Sequence, residues 1–453
     1  MESIFDIPAD LDTPVSAYLR LAPLRPRYLL ESVEGGHTGR YSFIGFGDTQ
    51  RVTIGADGVD VDGDHVDFEV LAGLRKALER APVCVPSDAS PFDGGLVGVA
   101  AFDLVRRLYR LPASPHEPEG PDGIYMTTSS ILVFDHLTRR MALLHAGSED
   151  ERRELRSEVQ AALRGPLDHS SEPSRHGPAT PSMSKDEFIG GVETVKRHIE
   201  AGDVYQLVLS IRFEGETDVH PFAAYRALRL LNPSPYMYFI DTGDRQVVGS
   251  SPEALARLNG TRAELRPIAG TRPRGLDDDE DHRLERELLG DPKEAAEHVM
   301  LVDLARNDVG RTARPGSVVV DPYKTIERYS HVMHMVSGVT ADLMPGLDAF
   351  DLFAATFPAG TVSGAPKLRA IEIIDELEPV SRGLYSGSIG YFGHGGAMDQ
   401  AITIRTLVFE DGGYSYQAGA GIVADSDPAA EHHEVISKAA ALEAALELAK
   451  EGL

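Results

Sequence analysis

The chain has 453 residues, 42% of them hydrophobic, with a formal net charge of −27 at pH 7. That length supports a large core and roughly two or three domains, and the negative charge argues against nonspecific binding to nucleic acid or an anionic membrane. Cys84 is the single cysteine, which excludes an internal disulfide and a cysteine-based metal cluster; with no apolar run approaching ~18 residues and no signal-peptide pattern in MESIFDIPADLDTP, a cytoplasmic enzyme without a transmembrane helix is expected.

From the start to about residue 145, short strand-like runs alternate with turns (RYLLESVEGG, GRYSFIGFG, GGLVGVAAFDLV, SSILVFDHLTRRMALLHAG), the pattern of an antiparallel sheet. Glu149 to Arg164 reads as an amphipathic helix. The stretch that follows, rich in Ser, Pro and His, reads as an exposed, mobile linker over 165–184, dividing an N-terminal domain (1–164) from a second domain (185–453). SKDEFIGGVETVKRHIEAGD predicts a helix with a serine cap and Gly202 at its end. VYQLVLSIRFEG is a strand, and HPFAAYRALRLLNPSPYMYFID runs helix, turn, strand. DRQVVGSSPEALARLNGTRAELRPIAGTRPRG gives strands ending in a Gly/Arg loop. GLYSGSIGYFG, MDQAITIRTLVFEDG and GYSYQAGAGIVA read as consecutive strands of a meander. Many antiparallel strands with interspersed helices make the fold α+β.

Two segments carry paired carboxylates. Glu294 and Glu297 open a helix in DPKEAAEHVMLVDLARNDVG, and Glu431 and Glu434 open another after Pro428. Residues i and i+3 share a helix face, so two such helices could meet around a hard cation such as Mg2+. Acidic residues are also common in first helical turns, where they complement the helix dipole.

Elsewhere the signals are softer. Arg266, Arg272 and Arg274 surround Gly270-Thr271, a turn suited to an anion or merely to solvent. The Gly/Ser/Thr loop of FPAGTVSGAPK precedes a helix, whose N-terminus attracts carboxylate or phosphate. It lacks the Gly-Lys-Ser/Thr ending of a nucleotide loop, which excludes that mode of ATP binding. Gly419 and Gly421 lie outside any Rossmann unit, so they do not signal NAD. No G-x-S-x-G elbow supports a serine hydrolase. Glu253, after a strand and a proline, is either a carboxylic acid kept protonated by burial or an ordinary turn carboxylate. His334, in an apolar run, is either functional or a satisfied core residue.

Taken together, LLES, GDVYQLVLS, NPSPYMYF, GSSPEAL, PIAGTRPRG, AAEHVMLVDLARNDVGR, VMHMVSG, FPAGTVSGAPK, GLYSGSIGYF, DQAITIRT, QAGAGIVADSDP and the final E-x-x-E span nearly the whole chain. The set resembles the chorismate-utilising enzymes, most closely the branch of anthranilate synthase large subunits. The resemblance implies two orthogonally packed antiparallel sheets sandwiched between helices. It implies that Glu297 and Glu434 ligate Mg2+, with Glu294 and Glu431 completing the acidic shell. Gly270, Thr271, Tyr385, Arg405, Gly419, Ala420 and Gly421 would hold chorismate, and Glu253, His334, Thr361 and Gln206 would act in its chemistry. Salicylate and isochorismate synthases carry a water-activating lysine where this chain has Gln206, and many aminodeoxychorismate synthases carry a lysine at Ala269. Gln206 suits an ammonia nucleophile. Ammonia would come from glutamine through a separate glutamine amidotransferase subunit (component II), in a heterotetramer, because PVCVP lacks a glutaminase cysteine elbow. Ser32, Pro235, Tyr236 and Met237 match positions that bind L-tryptophan as a feedback inhibitor. Aminodeoxychorismate synthase, a phenazine-pathway enzyme stopping at aminodeoxyisochorismate, and a non-catalytic chorismate- or tryptophan-binding regulator are the alternatives.

Overall fold

The computed structural model describes residues 5–32, 39–85, 90–167, 174–328 and 332–452. Among these, the chain forms two large antiparallel sheets of twelve and eleven strands and a small one of three. Along the strands, side chains alternate between two environments, as a period of two requires. In the first sheet Tyr28, Phe43, Tyr238 and Ile240 point to one side, while Leu29, Ile44, Met237 and Phe239 point to the other. In the second, Val97, Val99, Ile389 and Tyr391 oppose Leu96, Ala100 and Phe392. The result is one core shared by both sheets and two flanking cores, each covered by helices. This is an α+β sandwich. Strands on either side of the 165–184 segment share both large sheets: Tyr28–Glu31 pairs with Tyr236–Asp241, and Gly95–Ala100 with Ser388–Gly393.

Local sequence explains the helices. Lys185–Ala201 starts at a Ser184–Glu187 capping box and stops at Gly202, whose φ of +83° suits glycine. Glu149–Leu163 starts in the same way at Ser148 and Glu151. The two helices bearing the glutamate pairs, Pro292–Gly310 and Pro428–Lys450, each begin with an aspartate N-cap followed by proline. No helix among the described residues is long and apolar enough to cross a membrane.

Two expectations need correction. The second half of the 165–184 segment is bound to the fold: Thr180–Pro181 pairs with Phe213–Glu214, and His176 bridges Thr217. Backbone pairing to a sheet edge needs no apolar side chains, which is why composition alone read this stretch as free. Residues 168–173 lie outside the described residues. The expected meander also breaks. Met398–Ile402 belongs to the eleven-stranded sheet and Thr406–Glu410 to the twelve-stranded one. The chain crosses between them at 403–405, where Arg405 adopts a left-handed φ of +50°.

Candidate active site

The crossover places Arg405 beside several residues singled out in the sequence. Its guanidinium donates to Asn232 Oδ1 (3.1 Å), and its charge helps to lower the pKa of His334. His334 lies on Val332–Val336, paired with Ile268–Pro273. That pairing contains a bulge at Gly270, which has a φ of +69°. The bulge turns the Gly270 carbonyl and the Thr271 hydroxyl toward the imidazole, each 3.1 Å from Nδ1. The carbonyl can only accept, so Nδ1 carries the proton and Nε2 keeps its lone pair. Burial lowers the pKa of His334, and the Gly270 contact opposes that shift. A neutral imidazole follows at pH 7.

Gly270 also abuts the acidic helix: an added Cβ would lie 3.0 Å from Glu294 Oε2. Arg272 Nη1 donates to Glu294 at 3.3 Å. Glu297, one turn on, has its pKa raised by burial first, then by Glu294, with Glu434 of the C-terminal helix adding to the effect. Glu431 is raised by burial, and Glu434 also pushes it up. The four carboxylates therefore crowd one another across two helices. They supply oxygen donors only and repel each other, which is the chemistry that a hard divalent cation relieves. The donor set fits Mg2+. No three of these oxygens come within 4.8 Å of one another, a spacing reached among the described residues by His176, Glu443 and Glu447.

Lys438 was not foreseen. Its ammonium binds Glu434 Oε1 (2.7 Å) and the Gly419 carbonyl (3.0 Å), linking the acidic cluster to the Gly413–Ile422 strand. Its place one turn beyond Glu434 on the same helix face was the available signal. Along that strand a Cβ at Gly419 would sit 2.7 Å from the Tyr385 hydroxyl, and one at Gly421 would sit 2.9 Å from Gln206 Nε2. Both glycines clear space for a neighbouring polar group. Ala420 turns its side chain into the helix-side core, so only its backbone is available to the site. Gln206 Oε1 is buried with no hydrogen-bond partner.

Glu253 follows Gln246–Ser251, and its carbonyl accepts from Ile402 N (3.0 Å). Desolvation pushes its carboxyl up to about 7, and the neighbouring Thr361 hydroxyl offsets part of the rise. Thr361 Oγ1 is buried and lacks a well-formed hydrogen bond. Its loop is stitched to the Gln206 strand, since Val208 N donates to Ser363 O at 2.9 Å.

Behind these groups lies a buried ion pair that the sequence did not announce. Arg382 meets Glu378 at 2.6 Å, with both side chains at most 3% exposed. Arg382 also donates to the carbonyls of Val362 (2.8 Å) and Val208 (2.7 Å). Its guanidinium lies 5.5 Å from the centre of the Tyr385 ring. One side chain thus joins the segments bearing Thr361, Gln206 and Tyr385. Burial pushes the Tyr385 phenol up to about 12, against a lowering by Arg382, so it stays protonated as a donor.

Ser32, Pro235, Tyr236 and Met237 lie elsewhere, around a cavity of about 700 Å3 that Arg40, Arg257, Tyr391 and Asp399 also line. Ser32 Oγ is buried without a partner. Tyr236 donates to Asp399 (3.0 Å), and Arg257 Nε donates to the Tyr236 oxygen (2.7 Å). Met237 borders the cavity and packs into the helix-side core.

The sequence profile of the chorismate binding enzymes matches residues 25–444. Anthranilate synthase component 1 of Thermus thermophilus is 48% identical, covering 98% of this chain and 97% of that protein. The Pseudomonas aeruginosa protein of the same name is 44% identical, over 99% and 96%. Among solved structures, anthranilate synthase component I from Streptococcus pneumoniae superposes with a TM-score of 0.80 at 35% identity, covering 96% of this chain and 98% of that one. The menaquinone-specific isochorismate synthase of Escherichia coli shares the fold, with a TM-score of 0.73 at 20% identity, over 96% and 92%. The chain therefore belongs to the chorismate binding enzymes and, among them, to the anthranilate synthase component 1 family.

Proposed function

We propose that this chain is a Mg2+-dependent lyase that converts chorismate and ammonia to anthranilate and pyruvate. The ammonia comes from glutamine through a separate amidotransferase subunit, and tryptophan inhibits the reaction. The observation that carries the reading is the unpartnered amide oxygen of Gln206 beside Gly421. An acceptor without a basic group can hold ammonia by its N–H, where a lysine would activate water.

Glu297 and Glu434 would hold the metal directly, with Glu294 and Glu431 around it. When bound, Mg2+ offsets the substrate's carboxylate charge and polarises its ring. Arg405 pairs with the enolpyruvyl carboxylate, with the Tyr385 hydroxyl and the backbone at Gly419 to Gly421 beside the substrate. Ammonia adds at C2 while Glu253, still partly protonated near pH 7, gives its proton to the departing 4-hydroxyl. His334, its imidazole oriented by the Nδ1 contact with the Gly270 carbonyl, assists the second step, in which pyruvate leaves and the ring becomes aromatic. Thr361 orders the Glu253 side of the site.

Incubation of the purified chain with chorismate, Mg2+ and ammonium, followed by product identification, tests the assignment. Anthranilate and pyruvate are expected. An aminated diene that accumulates without pyruvate would replace this reading with the phenazine-type reaction.

A further inference from the structure

Glu253 can act as an acid once per turnover only if its proton is replaced, and nothing described so far replaces it. Next to it lies a small cavity of about 40 Å3, lined by Glu253, Thr361, Arg266 and Asp308 among apolar side chains such as Leu301 and Leu304. That volume holds a water or a few, and a water needs polar partners. The Thr361 hydroxyl, buried beside Glu253 and without a well-formed hydrogen bond, is one. Asp308 is another. One of its oxygens meets Lys367 Nζ at 3.3 Å, and both side chains are only 13–14% exposed. Lys367 in turn donates to the Thr356 carbonyl at 3.3 Å. Asp308 and Lys367 take no part in the chemistry proposed above.

We propose that Asp308 and the water of this cavity form the proton relay that recharges Glu253, with Lys367 steadying the Asp308 carboxylate once it has given up its proton. The relay rests on the reaction proposed for this site. As the C4–O bond breaks with its electron pair, Glu253 protonates the leaving oxygen and water departs. The Glu253 carboxylate takes a proton from the cavity water as Asp308 passes that water a proton drawn from solvent, where the ammonium formed at C2 has shed one, and Asp308 returns to its ion pair with Lys367. Protons balance, and no oxidant or reductant is needed. Burial supports this exchange by raising the Asp308 carboxyl and lowering the Lys367 ammonium. Arg311, which also faces the pair, opposes the Asp308 shift and adds to that of Lys367.

Asp308→Asn keeps the shape and removes the exchangeable proton. With chorismate, Mg2+ and ammonium, kcat should fall at least ~10-fold, less than the ~10²–10⁴-fold loss of a group that itself protonates the substrate. KM for chorismate should hold, the solvent deuterium isotope effect on kcat should rise, and added formate should restore turnover. Ala305→Val adds two methyl groups at the cavity wall without changing charge, and it should slow kcat in the same way. Unchanged kcat in a folded variant of either kind overturns the relay, as does an Asp308→Asn loss carried in KM and untouched by formate. Failure of the wild type to consume chorismate would overturn the reaction instead.

Discussion

Glu253 is under two opposing demands. Burial makes its carboxyl an acid of about 7, which suits proton donation near neutrality, and the same burial makes its charged form costly. The folded state keeps a proton that the unfolded chain releases between its ordinary value of 4.5 and about 7. Stability from this group is therefore present below that window and lost as pH rises through it. Glu253→Gln removes the charge, so its melting temperature should exceed that of wild type more at pH 8 than at pH 4.5. The same variant should lose amination by ~10² or more, since no acid assists the leaving hydroxyl. At a fixed concentration of free NH3, the wild-type amination rate should fall as pH rises through about 7. His334→Ala should instead let the aminated intermediate build up, which HPLC would register. The glutamates form the second residue-scale test. Glu297→Gln or Glu434→Gln removes a charged oxygen ligand at nearly constant volume. Mg2+ affinity should fall in titration calorimetry, and turnover by ~10² or more. Full turnover in EDTA would remove the metal from the account.

At the scale of elements, the crossover at 403–405 joins two regions that the sequence presents separately. Asn232 caps the Pro221–Leu231 helix and holds Arg405, and three residues on, Pro235 begins the wall of the 700 Å3 cavity. Ser250 N, paired to the Arg405 carbonyl at 3.1 Å, ties the same crossover to the Tyr236–Asp241 hairpin partner. A ligand that shifts 232–237 therefore moves the residue assigned to the substrate carboxylate. This would be a physical route for the proposed tryptophan feedback, and the coupling would have to be reciprocal: tryptophan would weaken chorismate binding by the factor with which chorismate weakens tryptophan binding. Ser32→Arg puts a charge and bulk where the unpartnered hydroxyl lies, so tryptophan should cease to inhibit while kcat holds. The check is the inhibition curve of each protein, and wild type indifferent to millimolar tryptophan would remove the feedback site. The helices and most strands were legible because caps, glycines and period-two alternation are local. The break at Arg405 was not, because ITIRTLVFE alternates well enough to pass for one strand and only the separation of the two sheets forces the turn. Arg382 and Lys438 escaped for a related reason: each pairs with a carboxylate four residues earlier, a common surface spacing, and the contacts that set them apart are to backbone carbonyls of distant segments, which no spacing encodes.

For the whole molecule, the unanswered demand is the source of ammonia. Cys84 is enclosed in the core between the sheets, its sulfur 3.7 Å from the Thr128 carbonyl. Desolvation pushes its thiol up to about 12, with Asp93 adding to the rise. A thiol in that state is a poor nucleophile, and among the described residues no helix start or cationic neighbour lowers its pKa as a glutaminase cysteine requires. On the proposed reading, glutamine would be hydrolysed on another polypeptide, and the ammonia would have to reach Gln206 without loss to solvent. The chain by itself should use ammonium salts, increasingly so at alkaline pH where free NH3 is abundant, until the loss of the Glu253 proton limits the rate. Those opposing trends predict a bell-shaped profile with ammonium. Glutamine should support no turnover until an amidotransferase subunit is added. With that subunit present, the alkaline requirement for NH3 should disappear, and the falling limb set by Glu253 should remain. Rates with ammonium and with glutamine, with and without the second subunit and across pH, decide the matter. Glutamine-dependent turnover by the pure chain would contradict the burial of Cys84 as the reason for a partner.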